Sequence, residues 1–147
     1  MSYKQILYHI VFGTKSHRRV LTDINIKELY LYIGGIIKNK GCNLYKINGM
    51  PDHIHILSDL NPMLSLSDFI KEIKRCSSIW IKESRKFINF DGWADGYCAL
   101  TYAYSDKDIV EQYIANQQEH HKKTSFRDEF IALLKENHIE FDEKYII

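Results

Sequence analysis

Two histidines separated by one isoleucine follow Pro51-Asp52 in the 147-residue chain. If this segment is a strand, His53 and His55 project from one face, and the isoleucines beside them enter the core from the other. Neighbouring imidazoles pack poorly, but they offer two adjacent ligand positions to a divalent metal ion. The pattern is short, and it also fits two exposed strand histidines or a polar hydrogen-bonded layer.

A tyrosine and a glutamine stand four residues apart later in the chain. On a helix, Tyr113 and Gln117 share one face, and His120 or His121 follows one turn later. A positioned tyrosine can attack a phosphodiester and form a covalent phosphoester, and a glutamine amide oxygen suits a hard cation. Tyr113 also has the spacing of a core residue on an amphipathic helix. At least one of the two histidines is expected to be solvated at the helix end.

Basic side chains recur along one face of a helix predicted over residues 66–87. Steps of three and four residues bring them together opposite the apolar face. They are Lys71, Arg75, Lys82 and Arg85, with Lys74 and Lys86 beside them. Most such faces are simply solvated. The absence of intervening acidic residues on this one favours contact with nucleic-acid phosphates.

The composition is that of an ordinary globular protein, with 45% hydrophobic residues, 27% charged residues and a net charge of +1. No apolar run approaches the roughly 18 residues of a membrane helix, and the first residues do not show the pattern of a signal peptide, so neither feature is expected. Cys42, Cys76 and Cys98 are odd in number and widely spaced, which predicts reduced, buried thiols in a cytoplasmic protein. An acidic segment from Phe126 onward follows a mildly basic body, which is compatible with a polyanionic partner.

The elements that position these residues follow a regular order. Strands are predicted over residues 3–14, 43–48, 53–60 and 97–104, and helices over residues 24–40, 66–87, 107–123 and 126–138. The first six elements predict an α+β fold, a ferredoxin-like β-α-β-β-α-β sandwich with an added C-terminal helix that carries Tyr113. The chain contains no linker or repeat, so we expect a single domain over residues 1–147.

Several motifs, taken in order, resemble those of one known family. They are His9-Ile10-Val11-Phe12-Gly13-Thr14-Lys15 with Arg18 and Arg19, Pro51-Asp52-His53-Ile54-His55-Ile56-Leu57, Trp93-Ala94-Asp95-Gly96-Tyr97, Tyr113-Ile114-Ala115-Asn116-Gln117 with Glu119-His120-His121, and Asp128-Glu129-Phe130. The series is similar to that of the small single-tyrosine transposases of the HUH superfamily. These enzymes mobilise the simplest bacterial insertion sequences, and their relatives are associated with palindromic genomic repeats. Ala94 departs from the pattern, because many relatives have glutamine there. The difference concerns the local turn or a contact with DNA, and not the chemistry of the site.

The resemblance implies a mechanism. His53 and His55 would bind Mg²⁺ or Mn²⁺ with Gln117 as a third ligand, and the metal would polarise the scissile phosphate. Tyr113 would attack that phosphate, leaving a 5′-phosphotyrosine and a free 3′-hydroxyl. A second 3′-hydroxyl could then rejoin strands without ATP.

The resemblance also implies partners. The substrate would be hairpin-bearing single-stranded DNA. The candidate DNA-binding residues are Arg18 and Arg19 of the first family motif, together with Lys71, Arg75, Lys82 and Arg85 of the basic helix face. Members of the family act as homodimers, in which the tyrosine helix of one subunit often completes the active site of the other.

A non-catalytic nucleic-acid-binding module is one alternative, because ferredoxin-like modules stack bases on aromatic residues of their sheet. The predicted strands carry such residues at Tyr8, Phe12, Tyr102 and Tyr104. This alternative leaves the His-x-His and Tyr-x-x-x-Gln patterns unexplained.

A zinc hydrolase that uses the two strand histidines and either His120 or His121 is a second alternative. It leaves Tyr113 without a role, and it lacks an evident carboxylate to act as general base. Asp52 adjoins the histidines, but its side chain is expected to point away from theirs in a strand.

Overall fold

A four-stranded antiparallel sheet is the centre of the computed structural model, which describes residues 1–146. Its strands are β1 (Leu7–Gly13), β2 (Leu44–Met50), β3 (His53–Asp59) and β4 (Cys98–Tyr102). They lie in the order β2-β3-β1-β4, and every neighbouring pair is antiparallel. The predicted ferredoxin-like α+β class is confirmed, with β1 and β3 in the interior of the sheet.

Helices cover both faces of this sheet. One layer contains α1 (Ile26–Asn39) and α2 (Leu66–Ser84), and the other contains α3 (Lys107–Ala115), α4 (Gln117–His120) and α5 (Phe126–Glu136). Short 3-10 turns occur at Lys15–His17, Tyr104–Asp106 and Glu143–Tyr145. None of the described helices is long and apolar enough to cross a membrane. The three cysteines are free, but only Cys42 and Cys98 are buried.

Several elements are shorter than the sequence predicted. β1 begins at Leu7, and α2 ends at Ser84 because Arg85 adopts left-handed backbone angles, with φ of 59°. The helix predicted over residues 107–123 is divided at Asn116, whose φ of −93° and ψ of 13° depart from regular α-helical values.

The two faces of β3 carry different chemistry. Ile54 and Ile56 are fully buried against α1 and α2, together with Ile10 of β1. His53 and His55 project to the opposite face and are also fully buried, under the second layer of helices. The predicted alternation is confirmed, and the alternative of two exposed histidines is wrong.

Phe126, the first residue of α5, packs flat on the imidazole of His53. The ring centroids are 4.0 Å apart and the ring planes differ by 4°. Gly13 lies opposite His53 in the register of β1 and β3, and a Cβ at Gly13 would lie 2.8 Å from the Phe126 ring. Glycine at this position therefore lets α5 approach the sheet. Ser125 fixes the start of α5, because its hydroxyl accepts a 3.1 Å hydrogen bond from the Asp128 amide.

The packing between β2 and β3 generates a stability prediction. We expect Gly49→Ala to lower the free energy of unfolding by about 1–3 kcal/mol through overpacking. The added Cβ would lie 2.7 Å from both the carbonyl oxygen of His53 and the Cδ1 atom of Ile54. Gly35 on α1 is the matched control, because nothing lies within 4 Å of a Cβ added there. Gly35→Ala should stabilise the protein by about 0.5–1 kcal/mol through helix propensity. Urea unfolding measures both changes, and equal stabilities would contradict the prediction.

Candidate active site

One buried carboxylate joins the histidines of β3 to the second layer of helices. Glu129 of α5 is only 2% exposed. Its Oε1 atom lies 3.1 Å from His55 Nε2, 3.3 Å from His53 Nε2 and 3.0 Å from His121 Nε2. Three imidazoles from two separate parts of the chain therefore converge on one oxygen.

The other oxygen of the same carboxylate contacts the predicted nucleophile. Glu129 Oε2 accepts a hydrogen bond from the Tyr113 hydroxyl and a 2.8 Å hydrogen bond from Gln117 Nε2. The Gln117 Oε1 atom lies 3.2 Å from His53 Nε2 and 2.9 Å from His121 Nε2. The side chains of Tyr113 and Gln117 therefore project in the same direction, toward Glu129, as predicted, although the helix is interrupted at Asn116 between them.

Polar contacts with the edge strand β2 hold the tyrosine-bearing helix against the sheet. Asn48 Nδ2 donates to the carbonyl oxygen of Ile114 at 2.9 Å and to Gln118 Oε1 at 2.8 Å. Gln118 Nε2 donates in return to Asn48 Oδ1 at 3.0 Å and to the Gly49 carbonyl at 3.1 Å. These bonds surround the helix break, so they fix the positions of both α3 and α4.

The far ring nitrogens of the two β3 histidines are also occupied. His53 Nδ1 lies 2.7 Å from Asp52 Oδ1, and His55 Nδ1 lies 2.8 Å from Nε2 of His9 on β1. The expectation that Asp52 points away from the histidines is wrong. Asp52 belongs to the turn before β3, where strand alternation does not yet apply, and its carboxylate turns back onto the neighbouring ring.

The electrostatics of the cluster follow from burial and from these contacts. Burial opposes the charge of Glu129, but hydrogen bonds from His121, His53 and His55 outweigh it and hold the pKa of Glu129 well below its usual range. Burial and the nearby Glu129 charge raise the pKa of Tyr113, so its hydroxyl stays protonated at neutral pH. Burial lowers the pKa of His55 to about 4, which leaves this imidazole neutral.

This donor set fits a divalent metal ion. The ligand atoms of His53, His55, His121 and Glu129 all lie within 4.8 Å of one another. Adjacent ligands of an octahedral ion with bonds of about 2.1 Å are about 3.0 Å apart. The contacts of Glu129 Oε1, at 3.0–3.3 Å, are close to that separation. The four side chains therefore form a candidate metal site, with Gln117 Oε1 beside it.

The basic residues predicted to bind DNA lie apart from this cluster. Lys71, Arg75 and Lys82 lie on α2, in the helix layer on the other face of the sheet. The face is not free of acids, because Arg75 forms two hydrogen bonds with Glu72, at 2.6 and 3.1 Å. Arg85 follows the end of the helix. This group is therefore a separate surface rather than part of the candidate metal site.

The two arginines that follow β1 are both paired with acidic residues. Arg18 lies 3.4 Å from Asp91, and Arg19 lies 3.9 Å from Asp52. Of the two, Arg19 is next to the cluster, because Asp52 bonds directly to His53.

Sequence reasoning missed two members of the cluster. Glu129 entered only as part of a family motif, and His121 was assigned either to solvent or to a hydrolase. The available signal was an acidic residue within an apolar helix face, because Glu129 shares the buried side of α5 with Phe126, Phe130 and Leu133. Charged residues are almost never fully buried unless they are paired, so such a position indicates a polar site.

Comparison with known proteins relates this chain to a family. The sequence model of the family described as "Transposase IS200 like" matches residues 2–117. The chain is 25% identical over 120 residues to the ISDra2 transposase TnpA of Deinococcus radiodurans, and the alignment covers 78% of this chain and 86% of the relative. It is 28% identical over 120 residues to the transposase for insertion sequence element IS200 of Salmonella typhimurium, with 78% of each chain covered.

Two solved structures share the architecture. One is the crystal structure of a candidate transposase from Deinococcus radiodurans R1, which is 28% identical, has a TM-score of 0.62 and is aligned over 80% of this chain and 95% of its own. The other is a REP-associated tyrosine transposase bound to a REP hairpin, which shares the fold with a TM-score of 0.61 at 15% identity, over 82% of this chain and 74% of its own. The chain therefore belongs to the IS200-like transposases, a family of HUH single-tyrosine nucleases.

Proposed function

We propose that this single-domain protein cleaves and rejoins single-stranded DNA by transesterification, with Tyr113 as the nucleophile. One observation carries the proposal. The Tyr113 hydroxyl and the Nε2 atoms of His53 and His55 all contact the carboxylate of Glu129. A nucleophile and two metal-ligating groups thus meet within the reach of one scissile phosphate.

The chemical step forms one bond and breaks another. The Tyr113 oxygen bonds to phosphorus as the bond to the 3′-oxygen breaks, which gives a 5′-phosphotyrosine and a 3′-hydroxyl. The phenol loses its proton, and the departing oxygen gains one. Glu129 orients the hydroxyl by accepting its hydrogen bond. Because the pKa of Glu129 is held low, the carboxylate is a weak base, and its role is to fix the direction of attack.

We propose Mg²⁺ or Mn²⁺ as the cofactor, held by His53 and His55 with Gln117 as a third ligand. His121 and Glu129 offer further ligand atoms at the same point. A bound divalent cation supplies Lewis-acid polarisation of the scissile phosphate. The side chains themselves exclude water, because both strand histidines and Gln117 are fully buried.

We propose hairpin-bearing single-stranded DNA as the substrate, and a homodimer as the active form. Support for the hairpin comes from the relative solved with a REP hairpin. The candidate DNA contacts are Arg18, Arg19, Lys71, Arg75, Lys82 and Arg85. Within one chain the Tyr113 hydroxyl and the Nε2 atoms of His53 and His55 meet at Glu129, which supports a site completed inside each subunit of that dimer.

The metal assignment is tested by Mn²⁺ binding. We expect the His53→Ala/His55→Ala variant to lose measurable binding in isothermal titration calorimetry, because two ligands are removed. At a hundredfold excess of Mn²⁺ over the dissociation constant, the wild type should gain about 2.7 kcal/mol of stability. Glu136→Gln, an exposed change on the same helix as Glu129, is the control and should bind normally. Unchanged binding by the double variant would refute the site.

The nucleophile is tested by covalent adduct formation on single-stranded hairpin DNA. Tyr113→Phe should abolish the adduct and retain DNA binding, because a phenyl ring cannot form a phosphoester. Its stability should change by no more than about 1 kcal/mol, the contribution of one hydrogen bond. Tyr102→Phe is the matched control, since both rings pack in the same cluster under α5. A labelled adduct with Tyr113→Phe on a denaturing gel would place the nucleophile elsewhere.

The α2 surface is tested by the salt dependence of DNA binding. We expect Lys71→Gln/Lys82→Gln to reduce the slope of log K against log [salt] by about 1.5, because each lost phosphate contact removes about 0.7–0.9. Arg75 should contribute less, since Glu72 already neutralises much of its charge. The exposed α1 pair Lys27→Gln/Lys38→Gln is the control of equal charge. If the slope of log K against log [salt] is the same for both double variants, the α2 face is solvent-exposed and makes no specific contribution to DNA binding.

A further inference from the structure

His9 is a buried histidine that the proposed chemistry has not used. It lies on the central strand β1 and is 1% exposed. Its Nε2 atom is 2.8 Å from His55 Nδ1. The ring centroids are 5.1 Å apart and the planes differ by 25°, so the two rings meet edge to edge through their nitrogens. His9 therefore contacts the Nδ1 edge of the His55 ring, which points away from Glu129.

The two ring nitrogens of a neutral imidazole have opposite roles. A histidine that binds a metal ion through Nε2 carries its proton on Nδ1, and that N–H group needs an acceptor. For His53 the acceptor is the carboxylate of Asp52, at 2.7 Å. Asp52 can only accept when ionised, so it selects the tautomer with a free Nε2.

The corresponding acceptor for His55 is the Nε2 atom of His9. This pair has two possible arrangements, because His9 can either accept or donate. If His9 donates, the proton of His55 lies on Nε2 and faces Glu129 Oε1, at 3.1 Å. If His9 accepts, His55 Nε2 is free to bind a cation. Only the second arrangement is compatible with metal binding at His55.

We propose that His9 is a positioning residue that accepts the Nδ1 proton of His55 when a cation takes the place of the Nε2 proton, and so holds His55 in its metal-binding tautomer. The inference rests on the proposed metal site and adds a residue that does not itself bind the ion. His9 Nδ1 has no hydrogen-bond partner among the described residues. His9 lines a cavity of about 170 Å³ with Tyr102 and Tyr113, and no described group bonds to Nδ1 and fixes the tautomer of His9. The partner of His55 is therefore less constrained than the carboxylate partner of His53.

Two substitutions separate hydrogen bonding from packing. His9→Gln retains an oxygen that can accept from His55 Nδ1, whereas His9→Phe keeps a ring without an acceptor. Loss of such an outer partner typically costs about 10–100-fold in metal affinity. In calorimetry with Mn²⁺ and DNA-free protein, we expect that loss for His9→Phe and a change within a few-fold for His9→Gln. Tyr102→Phe, which alters the same cavity, should bind like the wild type.

The tautomer itself gives a second measurement that a packing role would not change. In ¹⁵N-histidine-labelled protein loaded with Mg²⁺, we expect the shifts of His55 to report a protonated Nδ1 and an unprotonated Nε2. In His9→Phe the same resonances should shift toward a mixture of tautomers. If His9→Phe does not fold, His9→Leu takes its place.

Equal Mn²⁺ affinity for the wild type and His9→Phe would overturn the inference. Equal losses for His9→Phe and His9→Gln would also overturn it, since both would then report packing. If the wild type binds no Mn²⁺, the proposed metal site fails, and this inference fails with it. The first outcome differs from this one, because Mn²⁺ binding by both proteins would support the metal site and remove only the role of His9.

Discussion

The buried charge of Glu129 is the constraint on which the rest of the site depends. A carboxylate removed from water is strongly destabilising unless it is paired and hydrogen-bonded. Here the partners come from β3, from the tyrosine-bearing helix and from the turn before α5. The docking of α5 and the orientation of Tyr113 are thus fixed by one electrostatic requirement. The same requirement brings imidazole nitrogens to within about 3 Å of a single oxygen, which is the spacing of metal ligands.

The sheet makes this arrangement stiff. β3 is an interior strand with every residue buried, and its isoleucines are packed among α1 and α2. Residues that alternate on such a strand have little freedom to rotate, so the directions of His53 and His55 are set by the core on the opposite face. Phe126 stacks flat on the His53 ring. Glycine at position 13 leaves room for this contact, because a Cβ there would lie 2.8 Å from the Phe126 ring.

Local patterns in the sequence predicted the element order, the two faces of β3 and the shared face of Tyr113 and Gln117. Each of these depends on spacing within one segment. The errors have a different origin. The end of α2 depends on the left-handed backbone of Arg85, and the roles of His121 and Glu129 depend on how α5 docks. Contacts between distant segments are not encoded in local periodicity, although a charged residue inside the apolar stripe of α5 was a visible indication.

Glu129 also gives the protein an order of assembly. The ribosome completes the histidine strand and Tyr113 before it adds α5. A nascent chain can therefore form its sheet while the tyrosine still lacks its hydrogen-bond acceptor and the histidines lack their counter-charge. The candidate active site becomes organised only when α5 docks. In a member of this nuclease family, translation thus delays formation of the candidate site until α5 has been synthesised.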